Sequence, residues 1–308
     1  MAMVTCFLMY FFRDPLRTPP ENSNAILAPA DGTVIKVKEV NEPYLLKGKF
    51  PGFIDSISRR TVKGLIRFVF SLADRTTAPT EELAKELRQY GIKNVVVLHN
   101  GVDLKKLLAD GELARAFRGR YGLPQDKKVI LYVGRIGFEK RLEVLLRSLT
   151  MVRSTDWCLV VVGSGPQLDE YKKQAMALGL AERAIFTGFV KGDLLNGAYG
   201  CADMFVSPSD SETFGLTLIE AMAFGLPVIG VDKLGPGELI KDGRNGFLVK
   251  PGDSRAMAGL IDRLLREPGL RPGIGAEAKK TAESFAIGRS AEATLKMYKE
   301  LIESRKRK

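Results

Sequence analysis

Lys128-Val-Ile-Leu-Tyr-Val-Gly134 is a continuous apolar run that stops at a glycine, and Trp157-Cys-Leu-Val-Val-Val-Gly163 repeats the pattern. Neither run alternates polar with apolar residues. Both therefore read as strands buried on two faces, the signature of a parallel sheet covered by helices. Between them Leu142, Leu145, Leu146, Leu149 and Val152 recur at helical spacing. Outward from this pair, Gln167 to Leu178 reads as a helix ended by Gly179. Ala184 to Phe189, Ala202 to Val206 and Pro227 to Val231 read as further strands. Leu216 to Phe224 is a helix stopped by Gly225, and Asp253 caps another that runs to about Arg266. Strands interleaved with helices predict an α/β, Rossmann-like domain over roughly 125–285, and a terminal helix is expected from about Arg289.

The rest of the chain is thinner. Thr80 is placed to cap a helix whose first turn carries Glu81 and Glu82, favourable for the helix dipole. Gly91 ends it, and Val95 to Leu98 forms a strand before an Asn100-Gly101 turn. Ser58 to Ala73 mixes Arg59, Arg60, Lys63 and Arg67 with Val62, Leu65, Ile66, Phe68, Val69 and Phe70. It reads either as a helix lying on an anionic membrane surface or as a packed helix with a basic outer face. Residues 1–50 differ again: Ala25 to Val40 holds a Pro-Ala-Asp-Gly turn followed by β alternation.

Composition bounds the chemistry. The 308 residues are 45% hydrophobic and 27% charged, the balance of a globular chain of about two domains. Cys6, Cys158 and Cys201 stand apart with no C-x-x-C, which disfavours a disulfide framework or a cysteine zinc site and fits a reducing compartment. A single histidine, His99, excludes most histidine metal sites. The apolar opening, Met1 to Phe12, is cut off by Arg13-Asp14-Pro15 and is too short to span a bilayer. It is also a poor signal peptide. The chain is expected in the cytoplasm, with contact at the inner membrane surface as an extension of the basic front. The net charge is +11. The excess sits before residue 129 and in Arg305-Lys306-Arg307-Lys308, so the Rossmann-like part is close to neutral. No aromatic-basic RNA motif or zinc-finger spacing appears, and nucleic acid is not expected as a partner.

In a parallel open sheet, ligands bind where loops follow the carboxyl ends of the strands. Three such loops stand out. In Gly134-Arg-Ile-Gly-Phe-Glu-Lys140, Gly134 allows a tight turn, and Arg135 and Lys140 bracket a place suited to a diphosphate. Gly163-Ser-Gly-Pro166 opens like a dinucleotide fingerprint, but Leu168 stands where its third glycine belongs. Gly163 and Gly165 therefore read as a tight strand-to-helix turn beside the ligand. The third loop, Ser207 to Ala223, carries Glu212 ahead of a helix and Glu220 on it. Eight residues would separate these carboxylates by about 12 Å in a helix. That is too far to share a proton and suits two grips on one long ligand. Phe214, Gly215 and Leu216 lie at the helix start, where backbone N–H groups can meet phosphate.

These loops, with Phe186-Thr-Gly-Phe189 and Asn245 to Asp253, make the block from Val129 to Asp253 resemble the donor half of the GT-B retaining glycosyltransferases. Ala73 to Glu82 and Leu98-His-Asn-Gly-Val-Asp103 resemble the end of that family's front domain, so the likeness covers about 55–308. The resemblance implies that a nucleoside-diphosphate sugar is the donor substrate and that no other cofactor is needed. It implies that Arg135 and Lys140 hold the diphosphate and stabilise the leaving group, that Glu212 and its neighbours Phe214, Gly215 and Leu216 meet the sugar, and that Glu220 holds the ribose. It implies hexosyl transfer with retention, to a lipid or glycan acceptor. No D-x-D occurs, so no metal is expected. Tyr10 to Arg17, Leu27-Ala-Pro-Ala-Asp-Gly32 and Asn41 to Phe50 resemble instead the opening of phosphatidylserine decarboxylases, in which Asp31 would assist self-cleavage. That family's Gly-Ser-Thr cleavage site does not follow. The expected organisation is thus a decarboxylase-like fragment over 1–50, a remnant of a front acceptor domain over 51–124, and a donor domain over 125–308. The alternatives are a nucleotide-sugar-binding module without turnover and the remnant of a pyruvoyl decarboxylase.

Overall fold

The computed structural model describes residues 63–306. The chain divides into two compact units, residues 1–45 and 46–308, and the described residues belong to the second. The β reading of Ala25 to Val40, the decarboxylase-like pieces and Asp31 lie outside the described residues.

The centre is a six-stranded, wholly parallel sheet. Its strands are β3 (Lys128–Val133), β4 (Trp157–Val162), β5 (Ala184–Gly188), β6 (Met204–Val206), β7 (Val228–Val231) and β8 (Gly246–Val249), in the spatial order β5-β4-β3-β6-β7-β8. Successive residues of a strand point to opposite faces, and each face has its own core. Val129, Leu131, Cys158, Val160, Val162 and Phe205 enter one cluster. Ile130, Tyr132, Leu159, Val161, Met204 and Val206 enter the other. This is why the strands read as unbroken apolar runs. Each large side chain so buried contributes about 1.5–3 kcal/mol.

The helices covering the sheet include α3 (Leu142–Leu149), α4 (Leu168–Ala177), α5 (Asp193–Gly200), α6 (Leu216–Ala223), α7 (Leu234–Leu239), α8 (Ser254–Arg266) and α9 (Leu270–Glu283). The Asp253 side chain caps α8 by accepting from Ala256 N at 2.8 Å. Among these helices and strands, α5, α7, α9 and β8 escaped the sequence reading. In α7, Leu-Gly-Pro-Gly-Glu-Leu lacks helical periodicity, and β8 is too short to separate from its flanking turns.

Ahead of the sheet, β1 (Thr76–Ala78), α1 (Glu81–Gln89) and β2 (Val95–Val97) make one βαβ unit with its strands paired in parallel. Thr80 caps α1 as its position suggested, accepting from Leu83 N at 3.4 Å. The helix α2 (Gly111–Arg120) leads into β3 and packs on α5. The last helix, α10 (Ile287–Lys306), starts at a bridge between Val102 and Ala286. The basic, apolar segment is helical over 63–71 within the described residues. Its Arg67 donates to Tyr90 O at 2.6 Å, and Lys63 lies over the Tyr90 ring. No helix among the described residues is long and apolar enough to cross a membrane.

The order of the strands decides where a ligand can sit. The chain winds from β3 outward to β5, returns to β6 beside β3, and then winds the other way. The crevice at the carboxyl ends of β3 and β6 is the switch point at which open α/β sheets bind ligands.

Candidate active site

The loop after β3 is shaped by close backbone contacts. Gly134 N donates to Val162 O at 3.0 Å and Ile136 N to Ser164 O at 2.9 Å. Gly163 has φ +142°, and a Cβ there would lie 1.9 Å from Gly134 O. A Cβ on Gly165 would lie 2.2 Å from Ile136 O. Both glycines therefore let the β4 loop press against the β3 loop, the tight turn expected of them. The Tyr132 hydroxyl donates to Arg135 O at 3.2 Å. Burial, and then the charge of Glu212, push that phenol far above its ordinary range, so it acts only as a neutral donor.

The β3 loop then meets the loop after β6. Ser211 Oγ donates to Glu139 O at 3.0 Å and Ser209 Oγ to the same carbonyl at 3.4 Å. This clasp brings Lys140 to Glu212, 72 positions away, with Nζ 2.5 Å from Oε2. The pair is mostly buried, with the side chains 16% and 23% exposed. Arg135 lies further out and pairs with Glu139 at 3.3 Å. Arg141, at φ +55°, leads into α3 with its guanidinium 2.7 Å from Glu143 and 4.0 Å from Asp210. Each cation in the crevice thus already faces a carboxylate. A diphosphate entering here exchanges ion pairs rather than meeting bare charge.

Gly215 takes φ +94°, which turns the chain so that α6 starts with its first N–H groups beside Glu212. Leu216 is the exposed first residue of that helix. Phe214 presents its backbone and its side chain to different surroundings. Its ring is buried and stacks on His99, with centroids 6.2 Å apart, and meets Phe285 edge-on. Its side chain therefore anchors the loop, and only its backbone borders the crevice. The lone histidine, with no assigned role from sequence, is part of this aromatic cluster and holds Pro79 O through Nδ1 at 2.8 Å.

Glu220 lies one turn down α6. Its Oε2 accepts from the Tyr199 hydroxyl at 2.7 Å. Burial raises the Glu220 carboxyl above its usual range, and the Tyr199 bond works against that shift. The Tyr199 partnership was invisible in sequence, because the two residues are 21 positions apart on different helices. Among the described residues no group of three or more His, Cys, Asp or Glu side chains is gathered as a metal would require. A cavity of about 520 Å³ opens at the opposite end of the strands, lined among others by Asp110, Tyr199, Asp203, Phe224, Pro227 and Arg271. It lies at the amino ends of the strands, away from the crevice.

Comparisons with known proteins converge on the same half of the chain. Residues 114–281 match the family described as glycosyl transferases group 1, and residues 42–106 match Glycosyltransferase Family 4. The decarboxylase resemblance is carried by neither match, and most of its last piece, Asn41 to Phe50, falls within the second. A D-inositol 3-phosphate glycosyltransferase of Streptomyces scabiei is 39% identical over 73% of this chain and 54% of its own length. The sulfoquinovosyl transferase SQD2 of Arabidopsis thaliana is 36% identical over 72% of this chain and 43% of its own. The chain spans about half the length of the curated relatives it matches. Among solved structures, Anabaena HepE in complex with UDP and glucose superposes with a TM-score of 0.72 at 23% identity, over 77% of this chain and 67% of that one. The sucrose-phosphate synthase of Thermosynechococcus elongatus gives 0.71 at 26% identity, over 80% and 62%. With more than half of its length matched by one family, and with that match laid over the sheet that carries the crevice, the chain belongs to the glycosyl transferases group 1 family.

Proposed function

We propose that the crevice between β3 and β6 binds a nucleoside-diphosphate hexose and that the chain serves transfer of the hexose with retention of configuration. The observation that carries this is the Lys140–Glu212 pair at the start of α6, a cation and a carboxylate presented together at the switch point. Lys140 and Arg135 take the diphosphate, with the N–H groups of Gly215 and Leu216 beside them. Glu212, released from Lys140 by the incoming phosphate, accepts from sugar hydroxyls, and Glu220 accepts from the ribose. As the acceptor oxygen bonds to the anomeric carbon, the bond from that carbon to the diphosphate breaks. Its electron pair leaves on the diphosphate, which takes up the proton of the acceptor hydroxyl, and the two cations and the helix start stabilise the remaining charge. Glu212 and Glu220 serve hydroxyl recognition, and no metal is required by this scheme. UDP in Anabaena HepE and the glycosyl and sulfoquinovosyl transferases among the relatives support this donor class.

The acceptor in this reading is a lipid or a glycan, approached from the side of β1, α1 and β2. The protein works in the cytoplasm, with peripheral contact at an anionic membrane surface through its basic front. A second reading, a donor-binding module without turnover, draws on one observation: a single βαβ unit precedes the sheet among the described residues. Transfer needs the acceptor hydroxyl held against the anomeric carbon.

Calorimetric titration with UDP and GDP, each with and without EDTA, tests the first step. One nucleotide is expected to bind with equal affinity in both conditions; no binding of either, or a strict need for metal, overturns the reading. Release or transfer of hexose from the sugar nucleotide that binds then separates an enzyme from a module.

A further inference from the structure

The helix α6 reads Leu-Thr-Leu-Ile-Glu-Ala-Met-Ala, and Glu220 is its one charged residue. The carboxylate is set among apolar neighbours, since Leu218, Ile219, Ala221 and Met222 are all buried. Its partner lies deeper. Tyr199 is 0% exposed, its ring stacked on Phe224 at 5.3 Å and tilted against Phe205 at 6.3 Å. Packing alone does not call for this pair. Buried polar pairs add little stability over apolar residues of the same shape, whereas removing one partner leaves the other stranded. Burial, reinforced by the charge of Glu220, holds the phenol far above its ordinary range, so it is a permanent donor to that carboxylate. The bond engages Oε2 and fixes the side-chain torsions of Glu220. Glu220 lies four residues beyond Leu216, about 6 Å down the helix from its start. That is the next chemical group along a nucleotide whose diphosphate sits at the helix start.

We propose that Tyr199 is a positioning residue that holds Glu220 in the orientation needed to recognise the ribose hydroxyls of the donor. The inference rests on the nucleoside-diphosphate reading of the crevice and adds to it a residue that touches no ligand. Tyr199 works through its short bond to Glu220, its hydroxyl lying also 3.5 Å from Thr217 O on the same helix as Glu220, and the ring that carries it is locked by Phe224 and Phe205. Without the hydroxyl, Glu220 is free to rotate and its carboxylate, already disfavoured by burial, loses the donor that stabilises its charge.

The test compares UDP and GDP with their 2′-deoxy forms, titrated calorimetrically into the full chain, its Tyr199→Phe variant and its Glu220→Gln variant. The unaltered chain is expected to prefer the ribonucleotide. Tyr199→Phe is expected to lose about tenfold in ribonucleotide affinity, the size of one hydrogen bond to a charged group, while its affinity for the 2′-deoxy form stays within about twofold. In a Glu220→Gln background, adding Tyr199→Phe is expected to change little. Equal losses for both nucleotides in Tyr199→Phe would reduce Tyr199 to packing and overturn the proposal, as would no loss at all. Glu220→Gln keeps the ring and its donor in place and serves if Tyr199→Phe does not fold. It is expected to abolish the ribose preference, and a preference that survives it overturns the proposal. A chain that binds neither nucleotide overturns the donor reading itself, a result distinct from binding without ribose preference.

Discussion

The region from β3 to α9 and the region formed by β1, α1, β2 and the flanking helices are held by different forces. In the first, the sheet is covered on both faces, and Phe205, Leu131, Leu145 and Trp157 are almost wholly excluded from solvent. In the second, Phe68 and Leu72 of the segment beginning at 63 are 61% and 73% exposed, and Ile287 and Ile302 of α10 stand half out. What fastens the front unit combines buried side chains, Val102 and Phe117 among them, and the contacts of the His99 ring with Phe214 and Phe285, with polar contacts. Glu238 accepts from the backbone N–H groups of Glu81 and Glu82 at the start of α1. Thr80 donates to Thr213 O at 3.3 Å, and Ser290 to His99 O at 2.7 Å. The crevice sits where these regions meet. Its wall on the side of the six-stranded sheet is anchored by buried strands, and its opposite wall is the front unit.

The sharpest way to break this comparison is to delete one aromatic ring from each region. Phe205→Ala is expected to cost about 3–5 kcal/mol, the range for a buried Phe, whereas Phe68→Ala should stay within about 0.5 kcal/mol. Chemical denaturation measures both, and similar costs would mean that the front helix is packed after all. Next in size is Gly163→Ala, which sets a Cβ against Gly134 O at a φ unsuited to alanine. It is expected to cost about 2–3 kcal/mol of stability and to weaken UDP or GDP binding by displacing the loop that carries Lys140. Normal nucleotide affinity in this variant would uncouple the two glycine loops.

A smaller effect separates the two members of the ion pair. Lys140→Met is expected to weaken nucleotide binding by about 1.5–3 kcal/mol. Glu212→Gln relieves Lys140 of its carboxylate, so it should leave UDP or GDP affinity unchanged or higher while removing the extra affinity of the sugar nucleotide. A parallel loss of plain nucleotide binding in both variants would contradict this division of roles. The smallest effect is electrostatic. Burial raises the Glu220 carboxyl in the fold above its value in the unfolded chain, so the folded state favours the protonated form. The resulting stability is present below the unfolded value and is lost as pH rises through the folded one. Glu220→Gln should flatten that part of the stability–pH curve, and an unchanged curve would place Glu220 in an ordinary aqueous environment.

Much of the architecture was legible without coordinates. Continuous runs such as Val129 to Val133 and Cys158 to Val162 can be satisfied only by burial on both faces, and Leu142, Leu145, Leu146 and Leu149 can share one face only in a helix. Caps at Thr80 and Asp253 are local chemistry, readable from neighbouring residues. The loops that form the candidate crevice were legible as well, since they follow the strands of a parallel sheet. The elements α2, α5, α7, β8 and α9 were missed; α7 and β8 are too short to carry a period of their own, and their conformation comes from the neighbours that pack on them.

By itself the sequence determined the elements whose stability is local: buried strands, amphipathic helices, glycine turns, and the loops that carry Arg135, Lys140, Glu212 and Glu220. Only the tertiary structure decided which of these residues meet. The Lys140–Glu212 pair spans 72 positions and depends on β6 lying beside β3. The Tyr199–Glu220 bond depends on α5 packing against α6, and the Phe214 side chain is anchored by rings from two distant segments. The physical reason is that periodicity and capping act over a few residues, whereas the approach of two charged side chains is set by strand order and packing across the whole sheet.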